Sequence, residues 1–156
     1  MTDPAAEIVA DDLLYATGRA IHNRKFNHFK PHIALPYVME LEDETQFVQT
    51  EDDIRLIFDR VQEHMRTNNI HEIVRTVVSA EFLDSETVGS THVSKAFRRD
   101  GTAVGAPYPS YSVIIRTNDG GRLARSCVAF LHDATHGSSL IADGVQRFRT
   151  HQPRKL

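Results

Sequence analysis

The chain has 156 residues, 40% of them apolar and 25% charged, with a net charge of −3 and one cysteine. That length and composition fit a single soluble globular domain, which buries roughly 70% of its extended surface without help from a metal or disulfide. No apolar run is long enough to cross a bilayer, the charge is too small to imply a nucleic-acid partner by itself, and lone Cys127 excludes an intramolecular disulfide and fits a reducing cytoplasm.

Met1-Thr2-Asp3-Pro4 has neither a basic region nor an apolar core, so a signal peptide is not expected. Asp3 followed by Pro4 predicts a helix start, since Asp caps free amides and Pro at the first position loses no needed donor. The helix runs to about Phe26, with Ala10, Leu13, Leu14, Thr17 and Ile21 on one stripe. Phe26 and Phe29 fit a short second helix limited by Pro31. Leu35–Leu41 and Thr45–Gln49 read as hairpin arms turning at Glu42-Asp43-Glu44.

The next helix is the clearest element. Thr50 caps it, and Glu51, Asp52 and Asp53 set negative charge against the positive end of its dipole. Ile54, Ile57, Phe58, Val61 and Met65 keep helical spacing. Asn68 and Asn69 are left-handed stop residues. From His71 the period becomes two. Strands are predicted over His71–Asp84, Thr87–Arg99, Ser110–Asn118 and Arg122–His132, joined as an antiparallel meander. Residues 134–156 form a polar tail with Arg147, Arg149, Arg154 and Lys155, expected to be disordered or to strap onto a partner subunit. The domain is therefore expected to occupy residues 1–133.

Turn geometry predicts the two sheet faces. If Asp84 pairs with Thr87, then Val74, Thr76, Val78, Ala80 and Phe82 share a face with Thr91, Val93, Lys95 and Phe97. If Thr117 pairs with Arg122, then Tyr111, Val113 and Ile115 share a face with Ala124, Ser126, Val128 and Phe130. Both sets are mostly apolar and are expected to face the helices. The opposite face then carries Arg75, Ser79, Glu81, Ser90, His92, Ser94, Arg98, Arg116 and Arg125, together with Val77, Leu83, Ile114, Leu123 and Cys127. A mixed surface of this kind marks a subunit interface. A one-residue slip exchanges the two faces.

This order of elements resembles the nuclear-transport-factor-2-like superfamily, in particular its SnoaL-like branch. The likeness rests on the Tyr15 helix, the Phe29–Ala34–Leu35–Pro36 approach to the first strand, the Phe47-Val48-Gln49-Thr50 arm and the Asn118-Asp119-Gly120-Gly121-Arg122 turn. It implies an α+β cone: a curved, mostly antiparallel sheet wrapped around N-terminal helices, with an apolar pocket and homodimers through the outer sheet face. The superfamily includes ketosteroid isomerases, dehydratases, epoxide hydrolases, polyketide cyclases and non-catalytic binding domains, so chemistry must be argued residue by residue. Steroid isomerases use a helix-1 tyrosine as oxyanion donor, and Tyr15 occupies a similar place. They use an aspartate base in the following strand, where this chain has Leu35, Pro36 and Tyr37, with Glu40 the nearest acid. The base is missing or displaced.

The expected pocket takes Tyr15 from the first helix, Phe29, Leu35 and Tyr37 from the stretch after it, and Phe58 from the long helix. The sheet is expected to add Val78, Phe82, Val93, Tyr111, Val113, Ser126 and Val128. Its ligand is a small apolar or aromatic molecule, with no cofactor and no metal. The alternative is a cofactor-free isomerase, dehydratase, cyclase or hydrolase acting on a polyketide-like or steroid-like substrate. Its catalytic candidates are Tyr15, His32 and Tyr37. Ser79, Glu81 and His92 invite a triad reading, but flat strand positions lack a built oxyanion hole. His28/His32 and His132/His136 have i, i+4 spacing without a third ligand in a zinc-type pattern. The glycines form no phosphate loop or dinucleotide fingerprint.

Overall fold

The computed structural model describes residues 2–130, 135–136 and 139–149. Helix α1 (Pro4–His22) opens with the Ala5 amide donating to the Asp3 carboxylate, and buries Ala6, Ala10, Leu13, Thr17 and Ala20 along one stripe. It ends before Arg24, which adopts a φ of 55°. The four-residue helix α2 (Phe26–Phe29) and a 3-10 turn at Lys30–His32 lead into β1 (Ile33–Glu40). β1 pairs antiparallel with β2 (Glu44–Val48), Tyr37 lying opposite Val48.

Helix α3 (Glu51–Thr67) has a full capping box: the Asp53 amide donates to Thr50 Oγ1 at 3.1 Å, and the Thr50 amide to Asp53 Oδ2 at 3.3 Å. Its buried face holds Ile54, Ile57, Phe58 and Met65, each stabilising the fold by roughly 1.5–3 kcal/mol when fully enclosed. Asn69, at a φ of 54°, follows the helix.

Four long strands follow: β3 (Glu72–Asp84), β4 (Thr87–Phe97), β5 (Tyr108–Thr117) and β6 (Gly120–Val128). With β7 (Gln146–Arg149) they complete a seven-stranded curved sheet in the order β3-β4-β5-β6-β1-β2-β7. All neighbours are antiparallel except β1 and β6. One core cluster joins α2, α3, β1, β2 and β6 around Phe26, Tyr37, Val48, Phe58 and Val128. A second packs Ala6, Ala10 and Leu13 of α1 on Ala80, Val88 and Ile114. No described helix is long and apolar enough to cross a membrane.

The sheet faces differ from the sequence expectation over much of their length. Asp84 does pair with Thr87, but Leu83 and then Val78 are extra residues in β3 relative to β4. Each bulge exchanges the faces beyond it. Ala80 therefore packs on α1 while Val74 and Val78 turn outward, and in β4 the inward set is Val88, Ser90, His92, Ser94 and Ala96. In the next hairpin Thr117 pairs with Gly120, and Ala124 is extra in β6. Ser126 consequently shares its face with Ser112 and not with Val113.

The expected break after residue 133 also needs correction. Within the described part of the tail, β7 pairs with β2, and Ala142 and Val145 belong to the main core. Fully buried Gln46 anchors this segment, donating to the Leu140 carbonyl at 2.6 Å and accepting from the Ala142 amide at 3.1 Å. Arg154, Lys155 and His132 lie outside the described residues.

His136 is buried against His64, with 2.8 Å between Nδ1 and Nε2. The ends of this chain assign the protons. His136 Nε2 must donate to the Val104 carbonyl at 2.8 Å, so His136 Nδ1 accepts from His64 Nε2, and His64 Nδ1 accepts from the Asn68 amide nitrogen at 3.1 Å. Burial first, with His136 and Arg60 adding to it, lowers the His64 pKa to about 4.

Candidate functional site

Between the helices and the concave sheet face lies a cavity of about 170 Å³. Its apolar wall comes from α1 through Leu13 and Leu14, from α3 through Ile57 and Phe58, and from β1 through Met39. Phe29 meets Phe58 with 5.2 Å between ring centroids, and Phe26 supports Phe58 from behind at 5.6 Å. These positions follow from the stripes of the two long helices, which point at the sheet because no other surface can cover them.

The sheet side is polar and built in cross-strand rows. Ser90, Ser112 and Ser126 pair in register between Ala80 on β3 and Met39 on β1. In the next row, His92 pairs with Ser110. Beyond it, Arg75, Ser94 and Tyr108 are in register. Small serine side chains leave room over the floor, and the bulged register turns them all inward.

Some of these groups are tied together. The Tyr37 hydroxyl donates to Ser126 Oγ at 2.7 Å, and Tyr108 shares a hydrogen bond with Ser94. Arg75 Nη2 donates to the Leu14 carbonyl at 2.7 Å and to Thr17 Oγ1 at 2.8 Å; Thr17 in turn donates to the Leu13 carbonyl at 2.8 Å. Ser90 Oγ, in a residue only 2% exposed, has no partner among the described residues.

Electrostatics follow from enclosure. Burial pushes the Tyr37 pKa up to about 12, against the Ser126 hydrogen bond, and raises that of Tyr108. Burial, and secondarily the Arg75 charge, lowers the His92 pKa to about 4, so its imidazole is neutral at pH 7. Burial also draws Arg75 down to about 10, which leaves it charged. The wall thus presents hydroxyls, the imidazoles of His92 and His22 and the Arg75 guanidinium; among the described residues no Asp or Glu lines it.

Of the residues that the sequence points to, Phe29, Tyr37, Phe58, Ser126 and Val128 line this cavity. Tyr15 does not: it is 67% exposed, and its hydroxyl accepts from Arg19 Nη1 at 3.3 Å. It sits two residues from both Leu13 and Thr17, about 200° around the helix from each, so the stripe already placed it on the far side. Leu35 lies where β1 bulges away from β6 between Ile33 and Val38, beside the cis Leu35–Pro36 bond, and is exposed. His32, partly buried, ends the 3-10 turn and is not on the cavity wall.

Val78, Val93, Tyr111 and Val113 fall on the outer face because of the bulges. Phe82 packs beside the α1 cluster under the Arg116 guanidinium, outside the cavity. The triad grouping is taken apart by the Val78 bulge: His92 faces in while Ser79 pairs with outward Thr91. Among the described residues no three His, Cys, Asp or Glu side chains cluster.

Sequence reasoning missed Arg75, Ser90, His92, Ser94, Tyr108, Ser110 and Ser112. Their signal was the run of small polar residues at period two, Ser90-His92-Ser94, read as the outer face, and Ser110-Ser112, given no role.

No protein-family model and no curated protein matches this sequence. Solved structures do match. An NTF2-like protein with a cystatin-like fold from Novosphingobium aromaticivorans superposes with a TM-score of 0.61 and 14% identity, over 88% of this chain and 89% of that one. A domain of unknown function with a cystatin-like fold from Nostoc punctiforme gives 0.62 and 12%, over 83% and 80%. A ketosteroid isomerase-like protein from Erwinia carotovora atroseptica gives 0.58 and 11%, over 78% and 93%. These are likenesses of fold.

Proposed function

We propose that this nuclear-transport-factor-2-like cone binds a small aromatic or apolar molecule carrying a polar group. The observation that carries the proposal is the cavity itself: apolar on the helix side, hydroxyl-lined on the sheet side, with Ser90 unpartnered inside it. Apolar walls with a few placed polar groups are what small-molecule sites require. The volume of about 170 Å³ lies below the roughly 300–1,000 Å³ of drug-sized sites and just above the ~150 Å³ that admits benzene. It favours one ring with a short substituent over a four-ring steroid. Thermal unfolding against a panel of one- and two-ring aromatics tests this. Binding to the native state raises the midpoint, and Ser112→Leu, which fills the floor, should abolish the rise. No shift across the panel refutes the proposal.

A cofactor-free isomerase, dehydratase, cyclase or hydrolase is the second reading. Neutral His92 on the cavity wall favours it, because a base must be unprotonated and within reach of the substrate. The Ser90 hydroxyl, unpartnered among the described residues, is then the donor available to a developing oxyanion, since Tyr37 already donates to Ser126. Turnover that His92→Gln removes while binding persists would select the enzyme, whereas binding without turnover selects the binding protein.

Pairing of two copies through the outer sheet face belongs to the same proposal. Val78, 59% exposed, stands on that face with Val74, Tyr111 and Ile115, all exposed. Light scattering should give twice the chain mass, and Val78→Asp should give the single chain; a monomeric parent protein refutes the pairing.

A further inference from the structure

Arg75 is out of place in a ligand cavity unless something anionic meets it. A charge taken from water is normally paired, yet no carboxylate lies within 4 Å of Arg75 among the described residues. Nη2 is committed to the Leu14 carbonyl and to Thr17 on α1, which holds the guanidinium in one place. Its Nε and Nη1 donors have no protein partner among the described residues.

The neighbouring groups repeat the pattern. Ser94 lies directly across from Arg75, and His92 and Ser90 follow at two-residue steps along β4, on the same face. Serine hydroxyls and a neutral imidazole can each donate a hydrogen bond, and Ser90 has no partner among the described residues. Among the described residues the cavity is lined by many donors, the fixed Arg75 cation and no acidic side chain. The complement of that set is a group that only accepts and carries negative charge.

We infer that the ligand is a small aromatic or apolar carboxylic acid, bound as its anion. Its carboxylate lies against Arg75 with His92 alongside, and its apolar body reaches past the serine rows toward Phe29, Phe58 and Met39. This rests on the ligand-binding reading above and names the class of molecule. Neutral phenols, ketones and amides leave the Arg75 charge uncompensated and are the weaker ligands. Arg75 also borders a shallow outer groove beside Asp11, Tyr15 and His22, so its enclosure is partial.

The test is calorimetric titration of the intact protein with benzoate and phenylacetate, each against its neutral isostere, benzamide and phenylacetamide, and with acetate. Charge-assisted hydrogen bonds predict that each acid binds about tenfold or more tightly than its amide, that acetate binds far more weakly than phenylacetate, and that Arg75→Gln removes the acid preference while amide binding persists. If amides bind as well as acids, the carboxylate assignment falls and the cavity reading stands. If acids and amides both fail to bind, both fall. Equal binding of acetate and phenylacetate overturns the apolar body, and an Arg75→Gln protein that still prefers acids overturns the role of Arg75. Arg75 also ties β3 to α1, so should Arg75→Gln not fold, the acid–amide comparison on the unaltered chain decides alone.

Discussion

Lowering the pH from 7.5 to 5 should cost this protein about 4 kcal/mol of stability through two histidines. His92 and His64, 7% and 6% exposed, both have pKa values lowered from 6.5 to about 4. His92 faces Arg75 across the cavity floor, and His64 faces His136 and Arg60. In the unfolded chain both protonate as the pH drops through 6.5, while in the folded chain both stay neutral down to about 4. The unfolded state therefore binds more protons across this window, and stability falls with pH. The contribution is complete above pH 6.5 and is lost progressively toward pH 4. At pH 5 the difference in proton binding amounts to ~2 kcal/mol per histidine, and the two together lower the melting temperature by roughly 8–16 °C. Asp100 and Asp119 are held below the usual carboxylate range by hydrogen bonds from Thr102 and Thr117, so they titrate below this window. Urea unfolding at half-unit steps from pH 7.5 to 5 reads the slope directly, and His92→Gln should remove about half of it. Stability that is flat across the window, or a slope unchanged in both His92→Gln and His64→Gln, refutes the burial argument.

Thr50→Ala removes the capping-box hydroxyl of α3 and should cost about 1 kcal/mol, seen as a fall of roughly 2–4 °C in melting temperature; an unchanged midpoint means that Asp53 caps the helix unaided. Gln46→Leu strips the two hydrogen bonds that tie Leu140 and Ala142 to β2. It should cost about 1–3 kcal/mol and speed amide exchange in residues 139–149 while leaving β4 and β5 protected. Exchange that stays unchanged there refutes Gln46 as the anchor. At Gly121 an added Cβ meets Ile114 Cγ2 at 2.8 Å in the buried cluster beneath α1. Gly121→Ala should therefore destabilise by about 1–3 kcal/mol in denaturant unfolding, whereas no loss would mean that β6 shifts freely against α1.

Local chemistry was legible from the residues alone. The Asp3-Pro4 start and the Thr50 cap placed both long helices, because capping is decided within four residues. The change of period after Asn68 and the short turns placed β3 to β6 in their meander. The apolar half of the cavity followed from the same stripes, through Phe29 and Phe58. Tyr15 was expected in the pocket and lies outside it, as its phase against Leu13 and Thr17 requires.

The residues alone settled which segments up to β6 are helices or strands and in what order; β7, in the polar tail, was not legible. The chemistry of the site was settled by how the strands pair. Period-two alternation gives two faces without saying which is inner, and a single extra residue exchanges them. Leu83, Val78 and Ala124 are those residues here, and nothing local distinguishes them from their neighbours. Their bulges turn Ser90, His92 and Arg75 from an expected outer surface into the lining of a cavity.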